Sequence, residues 1–104
     1  MITIHQGDQL SLRFNVKLNG ETVTPQTVKA IRIAAGHVTH EYPNGELLFD
    51  GTYWLMPLKA NETNRMLGET AAQVEVIVKD TDHVHSFVQK FMVNKSELRG
   101  TWHG

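Results

Sequence analysis

Apolar and polar residues alternate most clearly over residues 9–18. There Leu10, Leu12, Phe14, Val16 and Leu18 are separated by Ser11, Arg13, Asn15 and Lys17. Successive side chains of a strand point to opposite faces, so this stretch predicts a β-strand with one apolar and one wet face. Gly7-Asp8 before it is turn chemistry. Asn19-Gly20 after it is a tight hairpin signal, because both residues tolerate positive φ. Residues 21–24 then read as a return strand that ends at Pro25. Residues 28–34 predict a second strand with Ile31 and Ile33 inward, broken by Gly36. Residues 37–42 are β-rich but polar and read as an edge strand closed by Pro43-Asn44-Gly45. Residues 47–49 form a short strand before Asp50-Gly51. Residues 53–58 form another, with Pro57 placing it at an edge or exit position.

Residues 61–68 are the helix-like piece. Asn61 can cap it, Glu62 suits its first turn, and Gly68 suits the position after its end. The segment is too short to stand alone, so a single turn crossing between sheets is expected. Ala72, Val74, Val76 and Val78 then alternate with Gln73, Glu75 and Lys79 in a further strand. Asp80-Thr81-Asp82 reads as a turn. Residues 83–93 give the last strand, with Phe87, Phe91 and Val93 in one register. Seven or eight short strands punctuated by turns predict an all-β, two-sheet antiparallel sandwich of immunoglobulin-like architecture, with one helical turn near 61–67. The cysteine-tryptophan-cysteine signature of antibody domains is absent. Residues 1–98 form the single domain and residues 99–104 a weakly patterned tail containing Trp102 and His103.

Composition adds bounds. A chain of 104 residues can bury roughly two-thirds of its unfolded surface, enough for one core. The formal net charge of -1 provides no broad basic footprint for nucleic acid. The absence of cysteine removes disulfides, thiolate metal sites and thiol nucleophiles together, and favours folding in a reducing cytoplasm. No charged segment followed by an apolar run opens the chain, and no apolar stretch is long enough to span a membrane.

Candidate chemistry is sparse. His83 and His85 are two apart and share a strand face, so they could hold one ion with Asp80 or Asp82 supplying an oxygen. A zinc site needs three or four ligands at recognised spacing, so the reading carries no assigned metal and no cofactor. His37 and His40, three apart, fall on opposite faces. Ser11, Ser86 and Ser96 lie in no glycine-flanked elbow, and Ser86 points away from its neighbour His85. The carboxylates Glu41, Glu46, Asp50, Glu62, Glu69 and Glu75 fall on turns or solvated faces. Tyr53-Trp54 could offer one exposed ring as a sugar platform, with Trp54 the ring to test, although aromatic residues of small sandwiches mostly pack inside. The residues therefore assemble no active site, and an enzyme is not expected.

The order of features resembles the N-terminal β-sandwich domain of upper-baseplate proteins from siphophages of Gram-positive hosts, and related small prophage proteins. The matching residues begin with Ile4-x-Gln6-Gly7-Asp8 before the alternating strand, then Asn19-Gly20 and Val28-x-x-Ile31-x-Ile33. They continue with Asn61-Glu62-Thr63-x-x-x-Leu67-Gly68, Gln73-Val74-Glu75-Val76 and Phe91-x-Val93-x-x-Ser96-x-Leu98. The resemblance implies a virion structural protein of the baseplate, tail or head fibre, synthesised in the host cytoplasm. It would act by self-association, as a trimer rather than a dimer, and by docking onto other virion proteins. The family domain usually continues into a linker or further module, whereas this sequence reaches only Gly104.

A docking edge follows from the strand pattern itself. Unprotected edge strands pair with other chains. Residues 21–24 are blunted by Glu21 and Pro25. His37, Val38, Thr39, His40, Glu41 and Tyr42 are rich in β-branched and aromatic residues with a single charge at neutral pH, and are the expected interaction edge. Its two histidines would weaken the contact below about pH 6.

Overall fold

The computed structural model describes residues 2–79 and 83–95. Ten strands and one helical turn follow in chain order. They are β1 (Ile2–His5), β2 (Leu10–Phe14), β3 (Lys17–Leu18), β4 (Glu21–Thr22), β5 (Val28–Ala35), β6 (Val38–Tyr42), β7 (Leu48–Phe49), β8 (Trp54–Leu58), α1 (Ala60–Thr63), β9 (Gly68–Val78) and β10 (Val84–Asn94). The predicted turn at Asp80-Thr81-Asp82 and the tail at 99–104 lie outside the described residues.

Two sheets carry the core. One has the order β1-β10-β9-β5-β6 and the other β2-β8-β7, with β3-β4 as a separate two-stranded hairpin. All neighbours run antiparallel except β1, which pairs in parallel with β10. With the β3–β4 hairpin set aside, β2, β7 and β8 form one sheet and β1, β5, β6, β9 and β10 the other, a division of the kind found in immunoglobulin-like sandwiches. The all-β expectation therefore holds, with the two sheets sharing one core.

The inner faces follow the period-two pattern. Leu12, Phe14, Trp54, Met56 and Leu58 from the three-stranded sheet meet Ile31, Ile33, Ala35, Val74, Val76, Phe91 and Val93 from the five-stranded sheet in one buried cluster. Trp54 lies at its centre, fully buried. Its ring packs edge-on to Tyr42 at 5.0 Å and against Phe49 at 5.1 Å. Its Nε1–H donates to the Val23 carbonyl at 2.8 Å, so the one polar atom of the ring is satisfied inside the core.

Several local expectations change. The alternation over residues 9–18 survives in burial, with Leu12, Phe14 and Val16 all inside. The ladder nevertheless breaks after Phe14, because the chain leaves β8 and turns toward β4, where the Val23 amide donates to the Val16 carbonyl. Pro57 stands at the exit of β8, one residue before its end, and β8 is not an edge strand. β8 lies between β2 and β7, but β7 reaches only Trp54 and Leu55, so the side of β8 that Pro57 cannot bond through is open there. The helical turn begins earlier than Asn61. Lys59 occupies the cap position, and its amide donates to Glu62 Oε1 at 2.7 Å. Gly68 opens β9 with φ +82 rather than closing the helix. β1 is an element that the alternation did not single out.

Two substitutions test the register. Phe14→Ala is expected to cost about 3–5 kcal/mol in urea unfolding, as for a large buried ring. Arg13→Ala, one position along on the wet face, is expected to cost under about 1 kcal/mol, the order of its exposed cation–π contact with Tyr53. Equal losses would place the strand in the wrong register.

Candidate interaction surfaces

The edges of the five-stranded sheet can be built up from its hydrogen-bond phase. Main-chain groups of successive strand residues point to opposite sides. The Gln6 amide donates to the Asn94 carbonyl at 2.9 Å, so even-numbered residues of β10 face β1 and odd-numbered ones face β9. β1 pairs only with Phe91 to Asn94 in the register Ile2↔Phe91 through His5↔Asn94. The amides and carbonyls of Val84, Ser86 and Val88 therefore point away from β9 and meet no other strand among the described residues. On the outer face of the same stretch stand Val84 and Val88, 54% and 58% exposed.

The opposite edge is β6. The sequence expectation of an edge strand holds, since β6 ends the sheet order. Its side chains divide by parity. Val38, His40 and Tyr42 share the register positions of Ala35, Ile33 and Ile31 and face the core side, whereas Thr39 and Glu41 face out. His37 lies in the turn before the strand. His40 is drawn inward. Its Nε2 lies 3.0 Å from the Pro57 carbonyl, an acceptor only, so Nε2 carries the proton and donates. Its Nδ1 is buried without a hydrogen-bond partner and lies 3.6 Å from Glu46 Oε2. The outward Glu41 amide is covered, donating to Glu46 Oε1 at 3.1 Å. The six-residue edge is thus partly committed within the chain, with Thr39 its most open position.

The carboxylates each have a structural use. Glu75 Oε1 accepts from Arg32 Nη2 at 2.7 Å and Nε at 3.0 Å. That hydrogen bond first, and the Glu75 charge second, raise the Arg32 guanidinium above its ordinary pKa. Glu69 pairs with Lys90 at 3.1 Å. Asp50 Oδ1 accepts from the Thr52 amide at 2.8 Å and the Tyr53 amide at 2.6 Å. The bond from Tyr53 and then that from Thr52 lower the Asp50 pKa.

The turn before β2 and the helical turn meet in space. Gln6 Nε2 donates to the Met66 carbonyl at 2.9 Å, and Thr63 Oγ1 donates to the Asp8 carbonyl at 2.8 Å. Thr63 is the buried polar residue of the fold. The turn at 6–8 and the helical turn are therefore one latch.

The remaining sequence candidates are separate. His83 and His85 are both exposed, and no group of three or more metal-ligating side chains forms among the described residues. Ser86 accepts from Gln73 Nε2 at 3.4 Å on the outer face. Trp54 cannot be an exposed sugar platform, because it is the centre of the core. Tyr53 is half-buried beneath the Arg13 guanidinium, 5.7 Å from its ring centroid. A shallow depression of about 230 Å³ on the outer face, lined by Ala30, Arg32, Glu41, Glu75, Ile77 and Val84, falls below the usual size of a small-molecule site. No helix among the described residues is long and apolar enough to cross a membrane. No family model, curated protein or solved structure matches the chain.

The Asp50 turn gives a pH prediction. Its folded-state pKa lies below the unfolded value of 3.8, so its contribution is complete above that value and is lost as pH falls through the folded one. Asp50→Ala is expected to melt below the parent at pH 7. The gap is expected to narrow in thermal scans carried into strong acid, whereas a gap unchanged with pH would mean the carboxylate charge has no part in the turn.

Proposed function

We propose that the chain is a structural interaction module of a phage particle, a baseplate, tail or head-fibre component that self-associates and docks onto neighbouring virion proteins. The observation that carries the interaction reading is the outer side of β10, where main-chain groups that meet no other strand among the described residues coincide with two exposed valines. Edge strands of this kind template pairing with another chain unless they are blunted. The carboxylates support the same reading, since the ones singled out as chemical candidates brace turns, cap the helical turn or pair with cations. The virion role draws on the resemblance in order of features to upper-baseplate sandwich domains, from Ile4-x-Gln6-Gly7-Asp8 to Phe91-x-Val93.

An epitope-tagged copy, followed through density-gradient purification of particles released by the host that carries the gene, is expected to band with intact particles. Protein confined to the soluble fraction, with particles that assemble and infect normally without it, overturns the virion reading.

A further inference from the structure

We propose that two copies of this chain join through β10, pairing antiparallel about a two-fold axis at Ser86 to make one continuous ten-stranded sheet. This rests on the reading of the chain as a self-associating module and names the surface it uses.

Among the described residues the edge carries none of the usual protections. Residues 84–88 carry no proline and no formally charged side chain at neutral pH, and their ladder to β9 runs without a bulge. Those are the devices by which sheet edges are normally blunted. The opposite edge differs, because there Glu46 already covers the outward Glu41 amide. β10 is also limited at its far end, where β1 begins to pair at Phe91 and Gln89 Nε2 reaches across to the Arg13 carbonyl at 3.4 Å. The segment free to accept a strand is therefore 84–88, and that length selects a register.

The sequence of this segment is complementary to itself when reversed. In an antiparallel pair centred on Ser86, the outward-bonding residues meet as Val84 with the partner's Val88, Ser86 with the partner's Ser86, and Val88 with the partner's Val84. These three pairs would exchange about six main-chain hydrogen bonds. The two exposed valines are thereby stacked on each other twice, removing the most exposed large apolar side chains of the five-stranded sheet from water. β-Branched pairs directly opposite one another are a favoured cross-strand combination. On the inner face, His85 falls opposite the partner's Phe87. Moving the centre one residue to Phe87 sets Val84 against Lys90 and drives the seam toward β1, so that register loses both advantages. A two-fold seam is isologous and closes on itself, so the product is a dimer rather than a filament.

The chain has no cysteine, which makes a single-cysteine test clean. Cα atoms of a hydrogen-bonded antiparallel pair stand about 5.5 Å apart, within the roughly 4.4–6.8 Å that a disulfide spans. Mild oxidation of S86C is expected to give a covalent dimer, while T39C on the β6 edge stays monomeric on a denaturing gel. Sedimentation at tens of micromolar is expected to show a dimer for the parent and a monomer for V84K/V88K, where lysines face each other across the seam. V84K/V88E is expected to restore the dimer, because this register sets each new lysine against a new glutamate. All four side-chain sites are exposed in the single chain, and circular dichroism confirms that each variant stays folded. A monomeric parent, a dimer that survives V84K/V88K, or cross-linking through T39C in place of S86C overturns the proposal. A monomeric parent that still bands with particles sinks this seam while leaving the virion reading intact. A β10 dimer missing from particles supports the seam and overturns the virion reading.

Discussion

The ladder between β9 and β10 is the interaction on which the rest of the molecule depends. Each strand is eleven residues long, and they pair from Val84↔Ile77 to Val93↔Gly68. β9 then supports β5, which supports β6, so one flank of the hairpin is covered for most of its length. Among the described residues the other flank receives only the four-residue β1. This mismatch in length fixes the character of the surface. The core side of the hairpin is closed where Ala72, Val74, Phe91 and Val93 meet the three-stranded sheet. The outer reach of β10 is left with main-chain groups that water must satisfy in the single chain.

A second set of contacts determines where β1 sits. The chain turns after His5, and the Asp8 carboxylate accepts from the His5 amide at 2.9 Å. The Asp8 carbonyl then engages Thr63 at the end of α1, and Gln6 engages Met66 just after it. Asn64 lies so close to Gly7 that an added side chain would meet its Oδ1 at 3.3 Å, and Gly7 holds φ +86. The positive φ favours glycine there, and a larger residue would also need the Asn64 side chain to shift. The polar latch anchors the start of β2 and the end of β1 to the helical turn, which keeps β1 at the Phe91 end of β10 and away from Val84.

Much of the core was legible in the sequence because burial obeys period two. Leu12, Phe14, Ile31, Ile33, Val74, Val76, Phe91 and Val93 could be assigned to the interior from alternation alone, and they are there. What alternation does not encode is which strand lies beside which. β1 is too short for its period to stand out, and its partner is at the other end of the chain. Pro57 gave a true local signal, an amide that cannot bond, but the neighbour that needs no such bond is a two-residue strand whose reach no local pattern reveals. Lys59 offers no capping side chain, and the sign of the helix start was Glu62 three residues later, one half of a capping box. The inward turn of His40 was available from its shared parity with Val38 and Tyr42. The polarity of histidine pointed to the surface instead, and the Pro57 carbonyl that draws it inward belongs to a strand seventeen residues away. The open side of β10 was hidden for a related reason. Phe87 and Phe91 mark the buried face, whereas the exposure of the main-chain edge depends on how far β1 extends.

Amide hydrogen exchange read residue by residue along β10 tests the account most directly. At high dilution, the amides of His85, Phe87 and Gln89 should be protected by β9 while those of Val84, Ser86 and Val88 exchange freely. Raising the concentration should slow the second set and leave the first unchanged. Protection of Val84, Ser86 and Val88 at every dilution would mean that the chain covers this edge itself. Free exchange at every concentration would mean that a second copy never does.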